Sequence, residues 1–249
     1  MTQRYLKHRG IILNSYPYTD ADMSVIIFTE NMGKIQLTAK GARRPKSRYG
    51  PLLMTGNVVT FMAYFKQPTV NGILQEIEPV ESFETIRKDY TKLLYLSYYT
   101  DLVHKLFQWH DEHREVFIVL YAVLQRLAKL PHEMLELLSR IYEWKLLYIS
   151  GVVYLPDETE SANENMYYDS YENTFIPESE IVNVETVQQV PAAVLHWLQL
   201  FSRTDWPKLD TLKIPAHELS FLKTIMHSTL RNFLGYLPKP LEMLYKEVR

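Results

Sequence analysis

Lys34-Ile35-Gln36-Leu37-Thr38-Ala39-Lys40 alternates polar and apolar side chains at every position, and a period of two is the signature of a strand with one face buried. A turn at Asn31-Met32-Gly33 introduces it, because Asn and Gly tolerate the backbone angles of tight turns. Working outward, similar short runs occur at residues 10–15, 23–29, 57–66 and 72–78. Five short strands in about 75 residues predict a small closed barrel, and five is the strand count of an oligonucleotide-binding (OB) barrel. A Greek-key sandwich or an SH3-like barrel fits the same periodicity.

After Pro79 the apolar spacing changes to threes and fours. Residues 83–107, 114–129 and 133–149 predict long helices, with Pro131 separating the last two and Ser150-Gly151 ending the third. Residues 192–203 and 216–234 predict two more, before the Pro-broken tail Leu237-Pro238-Lys239-Pro240-Leu241. The fold class expected is α+β, with a five-stranded OB barrel in residues 1–80 and a helical domain in residues 81–249. Inside the latter, an acidic, Tyr-rich excursion at about residues 152–185 predicts a hairpin around 166–176. The excursion lies within residues 146–202, which hold 9 Asp/Glu and no Lys or Arg, so a nucleic-acid surface is not expected there.

The end of the deciding strand runs into Lys40-Gly41-Ala42-Arg43-Arg44-Pro45-Lys46-Ser47-Arg48, five cations in nine positions, and no Asp or Glu occurs between Glu30 and Glu76. Gly and Pro keep this stretch from being helical, so it reads as a short flexible arm whose charges suit a phosphate backbone. A solvated surface loop is the plain alternative. Three of the five are Arg, whose planar fork matches phosphate better than a point charge does. Tyr49 and Tyr64 share the acid-free window and could offer faces to bases, although aromatics in strands are more often core. The formal charge is −2 overall, but residues 1–83 carry 10 Lys/Arg against 6 Asp/Glu, so the basic character is local.

Catalytic chemistry leaves little trace. Without cysteine, thiolate zinc sites, iron–sulfur clusters and Cys nucleophiles are excluded. No phosphate-binding or dinucleotide-binding Gly motif is present. His110-Asp111-Glu112-His113 falls in a polar stretch between helices and reads as a solvated turn, and His132, His196, His217 and His227 stand alone. No enzyme, cofactor or metal is expected. The aromatic helix carrying Tyr90, Tyr95, Tyr98, Tyr99, Phe107 and Trp109 reads as core. Lys223, Arg231 and Lys239 lie among apolar neighbours and could rim a groove for a partner peptide, although an ordinary amphipathic helix explains them equally well. The first residues lack the apolar run of a signal peptide, and no run of about 18 apolar residues occurs later, which suggests a cytoplasmic protein without a membrane partner.

Gly10-Ile11-Ile12-Leu13-Asn14-Ser15, Tyr18-Thr19-Asp20-Ala21-Asp22, Phe28-Thr29-Glu30 with Gly33-Lys34-Ile35, and the basic loop come one after another in an order that resembles the bacterial DNA repair protein RecO family. Farther on, Phe83, Glu143-Trp144-Lys145-Leu146-Leu147, Gly151 and Pro156 are similar to its helical region. The resemblance implies a nucleotide-independent recombination mediator that binds single- and double-stranded DNA and anneals complementary strands. It implies RecR, the acidic C-terminal tail of single-stranded-DNA-binding protein (SSB), RecA and in some lineages RecF as partners. A nucleoid-associated location would result. On this chain the DNA contacts fall on Lys40, Arg43, Arg44, Lys46 and Arg48, with Lys34 in the same window added. Many relatives carry four zinc-binding cysteines where this chain has its acidic excursion, so the resemblance here is to a zinc-free member. The alternative is an adaptor for RecR- or SSB-like partners with weak DNA binding.

Overall fold

The computed structural model describes residues 7–65, 71–156, 164–203, 206 and 211–247. Contacts group the chain into two compact units, Met1–Lys129 with Pro238–Arg249, and Leu130–Leu237.

The first unit is built on a closed barrel of β1 (Lys7–Pro17), β2 (Met23–Thr29), β3 (Gly33–Ala39), β4 (Val58–Tyr64) and β5 (Asn71–Glu81), in the order β1-β2-β3-β5-β4. All pairs are antiparallel except β3–β5. Five-stranded closure in this order is the OB topology, which decides against the sandwich and the SH3-like barrel. Ile12, Val25, Ile27, Ile35, Leu37, Val59, Phe61, Leu74 and Ile77 fill the interior. The alternation of β3 is therefore inside against outside. β2 does not alternate in burial, because α3 packs on its outer face, and a strand covered on both sides reads as one apolar run.

Helices α1 (Glu84–Arg87), α2 (Tyr90–Leu106) and α3 (Arg114–Lys129) come after the barrel in the same unit. The sequence expectation of one helix over 83–107 is interrupted at Lys88-Asp89, where the Asp89 carboxylate accepts from the Lys92 N–H and caps a new helix. Tyr98 and Tyr99 are fully buried, so this aromatic helix is core, with Tyr90 on its exposed side. Gly33 sits at φ +64°, and a Cβ there would lie 2.1 Å from the Asp111 carbonyl oxygen. That approach brings the α2–α3 connection onto the edge of β3, where the His110 N–H donates to the Lys34 carbonyl at 3.0 Å.

The second unit centres on α4 (Leu135–Ile149), surrounded by α5 (Ala192–Arg203), α6 (Ala216–Leu234) and a three-stranded sheet of β6 (Met166–Asp169), β7 (Thr174–Pro177) and β8 (Val187–Gln189), ordered β7-β6-β8. The expected hairpin is β6–β7, and β8 adds a strand the sequence did not suggest. Phe175 meets Trp144 edge-on at 6.1 Å and Tyr168 at 5.2 Å. Below these rings the Tyr168 hydroxyl bonds Thr229 Oγ1 at 2.5 Å, and burial raises the Tyr168 phenol to about 12.

The chain's end corrects one sequence expectation. The Pro-broken tail is in fact helix α7 (Lys239–Glu247), which packs on α2 in the first unit through Leu241 and Leu244. Pro238 accepts the first helical bonds, from the Leu241 and Glu242 N–H groups. Pro240 falls in the first turn, where its missing N–H leaves no bond unmade.

Candidate nucleic-acid interface

The three cations on the described barrel strands, Lys7, Arg9 and Lys34, are engaged by the fold. Lys7 pairs with Glu78. The Arg9 guanidinium lies 4.9 Å from the Tyr121 ring centre and 5.7 Å from that of Phe117. Lys34, placed on the DNA surface by sequence, is not there: it is 4 % exposed, and its ammonium donates to the His104 carbonyl at 2.5 Å and the Phe107 carbonyl at 2.7 Å. These are end carbonyls of α2, so Lys34 caps that helix C-terminus, with the Trp109 ring 4.7 Å away. Burial lowers its pKa to about 8, which still leaves it protonated and donating at pH 7.

Lys34→Met is accordingly expected to lower stability by about 2 kcal/mol, the scale of a charge-assisted hydrogen bond, and to leave the salt dependence of DNA binding unchanged. A chemical-denaturation curve and a salt titration check the two halves.

The positive charge therefore converges on the loop after β3, where Lys40, Arg43, Arg44, Lys46 and Arg48 are all exposed. It is not the free arm expected from Gly and Pro. Ala42 is buried with the barrel core, the Gly41 N–H donates to Asp22 Oδ1 at 2.8 Å, and the Arg43 N–H donates to the Ala21 carbonyl at 3.0 Å. Arg43 Nη1 adds a bond to the Thr19 carbonyl at 2.7 Å. Turn bonds from Arg44 N–H to Gly41 O and from Ser47 N–H to Arg44 O hold the interior of the loop. The β1–β2 turn and the cationic loop thus form one tethered surface. A cationic surface held in place loses less conformational entropy on binding a polyanion than a floppy arm does.

The aromatics divide differently from the sequence expectation. Tyr49 folds partly onto the barrel core, near the Arg48 guanidinium at 5.9 Å, and Tyr64 is half-buried on β4. Sequence reasoning passed over Tyr16 and Tyr18, both exposed where β1 leaves the barrel. Their signal was available: two Tyr around Pro17, then the turn-forming Thr19-Asp20-Ala21-Asp22.

The histidines carry no metal-site geometry. His113 Nε2 lies 2.9 Å from Asp111 Oδ2, and no group of three or more potential metal ligands occurs among the described residues. His104 is pulled down to about 4, first by burial and then by the Lys34 and Lys105 cations. The unfolded chain takes up that proton near pH 6.5, whereas the folded chain resists it until about pH 4. Stability is therefore expected to fall as pH drops from about 6.5 towards 4, and His104→Gln should reduce that slope. Urea midpoints at pH 7 and pH 5 for both proteins check it.

Lys223, Arg231 and Lys239, suggested as rims of a partner groove, do not share one element. Lys223 and Arg231 lie on α6 of the second unit and Lys239 begins α7 of the first. Lys223 Nζ is 3.6 Å from Glu136 Oε1.

Comparison with known proteins matches both the barrel and the helical region to one family. Residues 1–83 match the family model described as recombination protein O N terminal, and residues 87–240 that of recombination protein O C terminal. The chain belongs to the recombination protein O family. A DNA repair protein RecO of Halalkalibacterium halodurans is 29% identical over 233 residues, covering 92% of this chain and 90% of the relative. That of Caldicellulosiruptor saccharolyticus is 25% identical over 237 residues, covering 92% and 93%. That of Clostridium acetobutylicum is 33% identical over 148 residues, 58% of each.

The excursion of this chain lacks thiolate and imidazole donors: the chain contains no cysteine, and residues 152–185 contain no histidine. The buried aromatics Tyr168, Phe175 and Trp144 hold β6 and β7 to α4 and α6 instead. Without cysteine or histidine, the excursion does not fit the structural zinc sites built on those donors. No helix among the described residues is long and apolar enough to cross a membrane.

Proposed function

We propose that this chain is a DNA-binding recombination mediator that anneals complementary strands and helps RecA replace SSB on single-stranded DNA, without hydrolysing a nucleotide. Membership of a family whose relatives are named DNA repair proteins supports a role in DNA repair and recombination. The observation that carries the finer reading is the tethered cationic loop, with five exposed cations on the side of an OB barrel. Complementary strands repel through their phosphates, and a cationic surface that holds both lowers this barrier while base pairing supplies specificity.

RecR, the SSB tail and, in some lineages, RecF are the partners of this reading, and Lys223, Arg231 and Lys239 are its candidate protein contacts. The expected location is cytoplasmic, with the nucleoid.

RecA filament growth on an SSB-covered circular strand, monitored through RecA ATPase, tests the mediator role. Adding this chain with RecR should shorten the lag. An unchanged lag, together with binding of the SSB tail but not of DNA at low salt, would replace the reading with that of a protein adaptor.

A further inference from the structure

The outer face of β1–β2–β3 ends differently on its two sides. Phe28 and Lys34, opposite one another on β2 and β3, are sealed at one end by Phe107 and the C-terminus of α2. At the other end Tyr16 stands opposite Ser24, and Ser24 opposite Thr38. Ser24 is itself buried here, whereas Tyr16 at the edge is 38 % exposed. The Gln36 side-chain amide donates to Tyr16 Oη at 2.9 Å and to Ser24 Oγ at 2.7 Å, so the Tyr16 phenol is pinned while much of the residue remains in solvent.

Tyr18, two residues on, is 64 % exposed. Its backbone is rigid: its N–H donates to the Asp22 carbonyl at 3.0 Å, and Thr19 Oγ1 accepts from the Ala21 and Asp22 N–H groups at 3.3 and 3.0 Å. The next carbonyl, that of Thr19, is the one that holds the Arg43 guanidinium. Two exposed aromatics on a fixed backbone are thus bolted to the cationic loop. Asp20 and Asp22 are the acids of this turn, and Asp22 is occupied by the Gly41 N–H.

We propose that Tyr16 and Tyr18 form a base-stacking platform that gives this surface a preference for single-stranded over duplex DNA. The inference rests on the DNA-binding reading and adds its specificity. Phosphate contacts treat both forms alike, whereas an aromatic face can stack only on a base that is not already enclosed in a duplex. The Tyr16 ring, held by its hydroxyl, loses little entropy when a base lands on it, and Tyr18 stands on a hydrogen-bonded turn. Stacking is sequence-tolerant because every base has a π-face, which suits a protein that must accept any strand.

The test compares the parent chain, Tyr18→Ala, and the Tyr16→Ala/Tyr18→Ala pair, which should lose more on the single strand than Tyr18→Ala alone, on three probes: a single strand, its duplex, and an abasic strand of equal charge. Tyr18→Ala should weaken single-strand binding by roughly 5- to 150-fold, the span found for loss of one stacked base. Duplex and abasic binding, the salt slope and the thermal midpoint should stay unchanged, and Tyr18→Trp should restore single-strand affinity. Equal losses on the intact and abasic strands, or no loss on either, would overturn the platform while leaving DNA binding intact. If the parent binds none of the three at low salt, the DNA-binding reading itself fails, and the platform with it.

Discussion

Replacing Lys40, Arg43, Arg44, Lys46 and Arg48 together by Ala is expected to flatten the log–log salt dependence of single-strand binding by roughly 3 to 4 units, at about 0.7 per phosphate contact. The side chains are exposed, and the loop is anchored by Ala42 and by the Gly41 and Arg43 backbone N–H groups. The variant should therefore keep the barrel intact. Arg43 is the one of the five whose side chain also bonds the fold, at the Thr19 carbonyl, so its single replacement should cost a little stability as well as one contact. Lys40, Arg44 and Lys46 should act on binding alone, and Arg48 also lies 5.9 Å from the Tyr49 ring. Affinity measured by anisotropy from 50 to 300 mM salt reads the slope (about a sixfold range, ample for a change of this size). A slope unchanged in the quintuple variant would remove the loop from the DNA surface.

The second large effect concerns the stability of the second unit. Arg140 and Glu143 are buried on α4, 2 % and 0 % exposed, with Arg140 Nη2 donating to Glu143 Oε1 at 2.8 Å and Nη1 2.7 Å from His227 Nε2. Burial pushes His227 below its ordinary value, against the Glu143 carboxylate, which pulls it up. Glu143→Leu would leave a buried guanidinium without its carboxylate and is expected to destabilise the second unit by about 3–5 kcal/mol. Adding Arg140→Met removes the stranded charge and should recover much of the loss, because a buried pair is often replaceable by apolar residues of similar volume. Denaturation of the four proteins of this cycle gives the coupling. A double variant no more stable than Glu143→Leu alone would show that the two charges do not depend on each other. Neither change should alter the salt slope of DNA binding.

Much of the fold was legible because its physics is local. The strict alternation of 34–40 marks a strand with its inner face in a barrel, and Asn31-Met32-Gly33 marks the turn that begins it. What the alternation could not say is what covers the outer face. Lys34 is on the outside of the barrel, as its position in the pattern requires, but α2 ends there and takes its ammonium as a cap. Charge density in a sequence window cannot separate a cation offered to solvent from one spent on a helix terminus seventy residues away. The five loop cations are exposed, in a segment that Gly41 and Pro45 keep from being helical.

The tail was misread for a related reason. Pro238 and Pro240 look like helix breakers, yet both stand where a helix begins, and the apolar pair Leu241 and Leu244 supplied the better signal through its spacing of three. For Tyr16 and Tyr18 the sequence offers Pro17 and a turn but no periodic signature of an exposed aromatic pair. Only the hydrogen bonds tying Thr19, Ala21 and Asp22 to the cationic loop bring them beside it.

The most direct test of the central claim is the rate at which two complementary oligonucleotides anneal at low salt without ATP, in the presence of the parent chain or of the variant lacking the five loop cations. Acceleration by the parent that disappears in the variant is the result expected. Equal acceleration by both, or none by the parent, would contradict it.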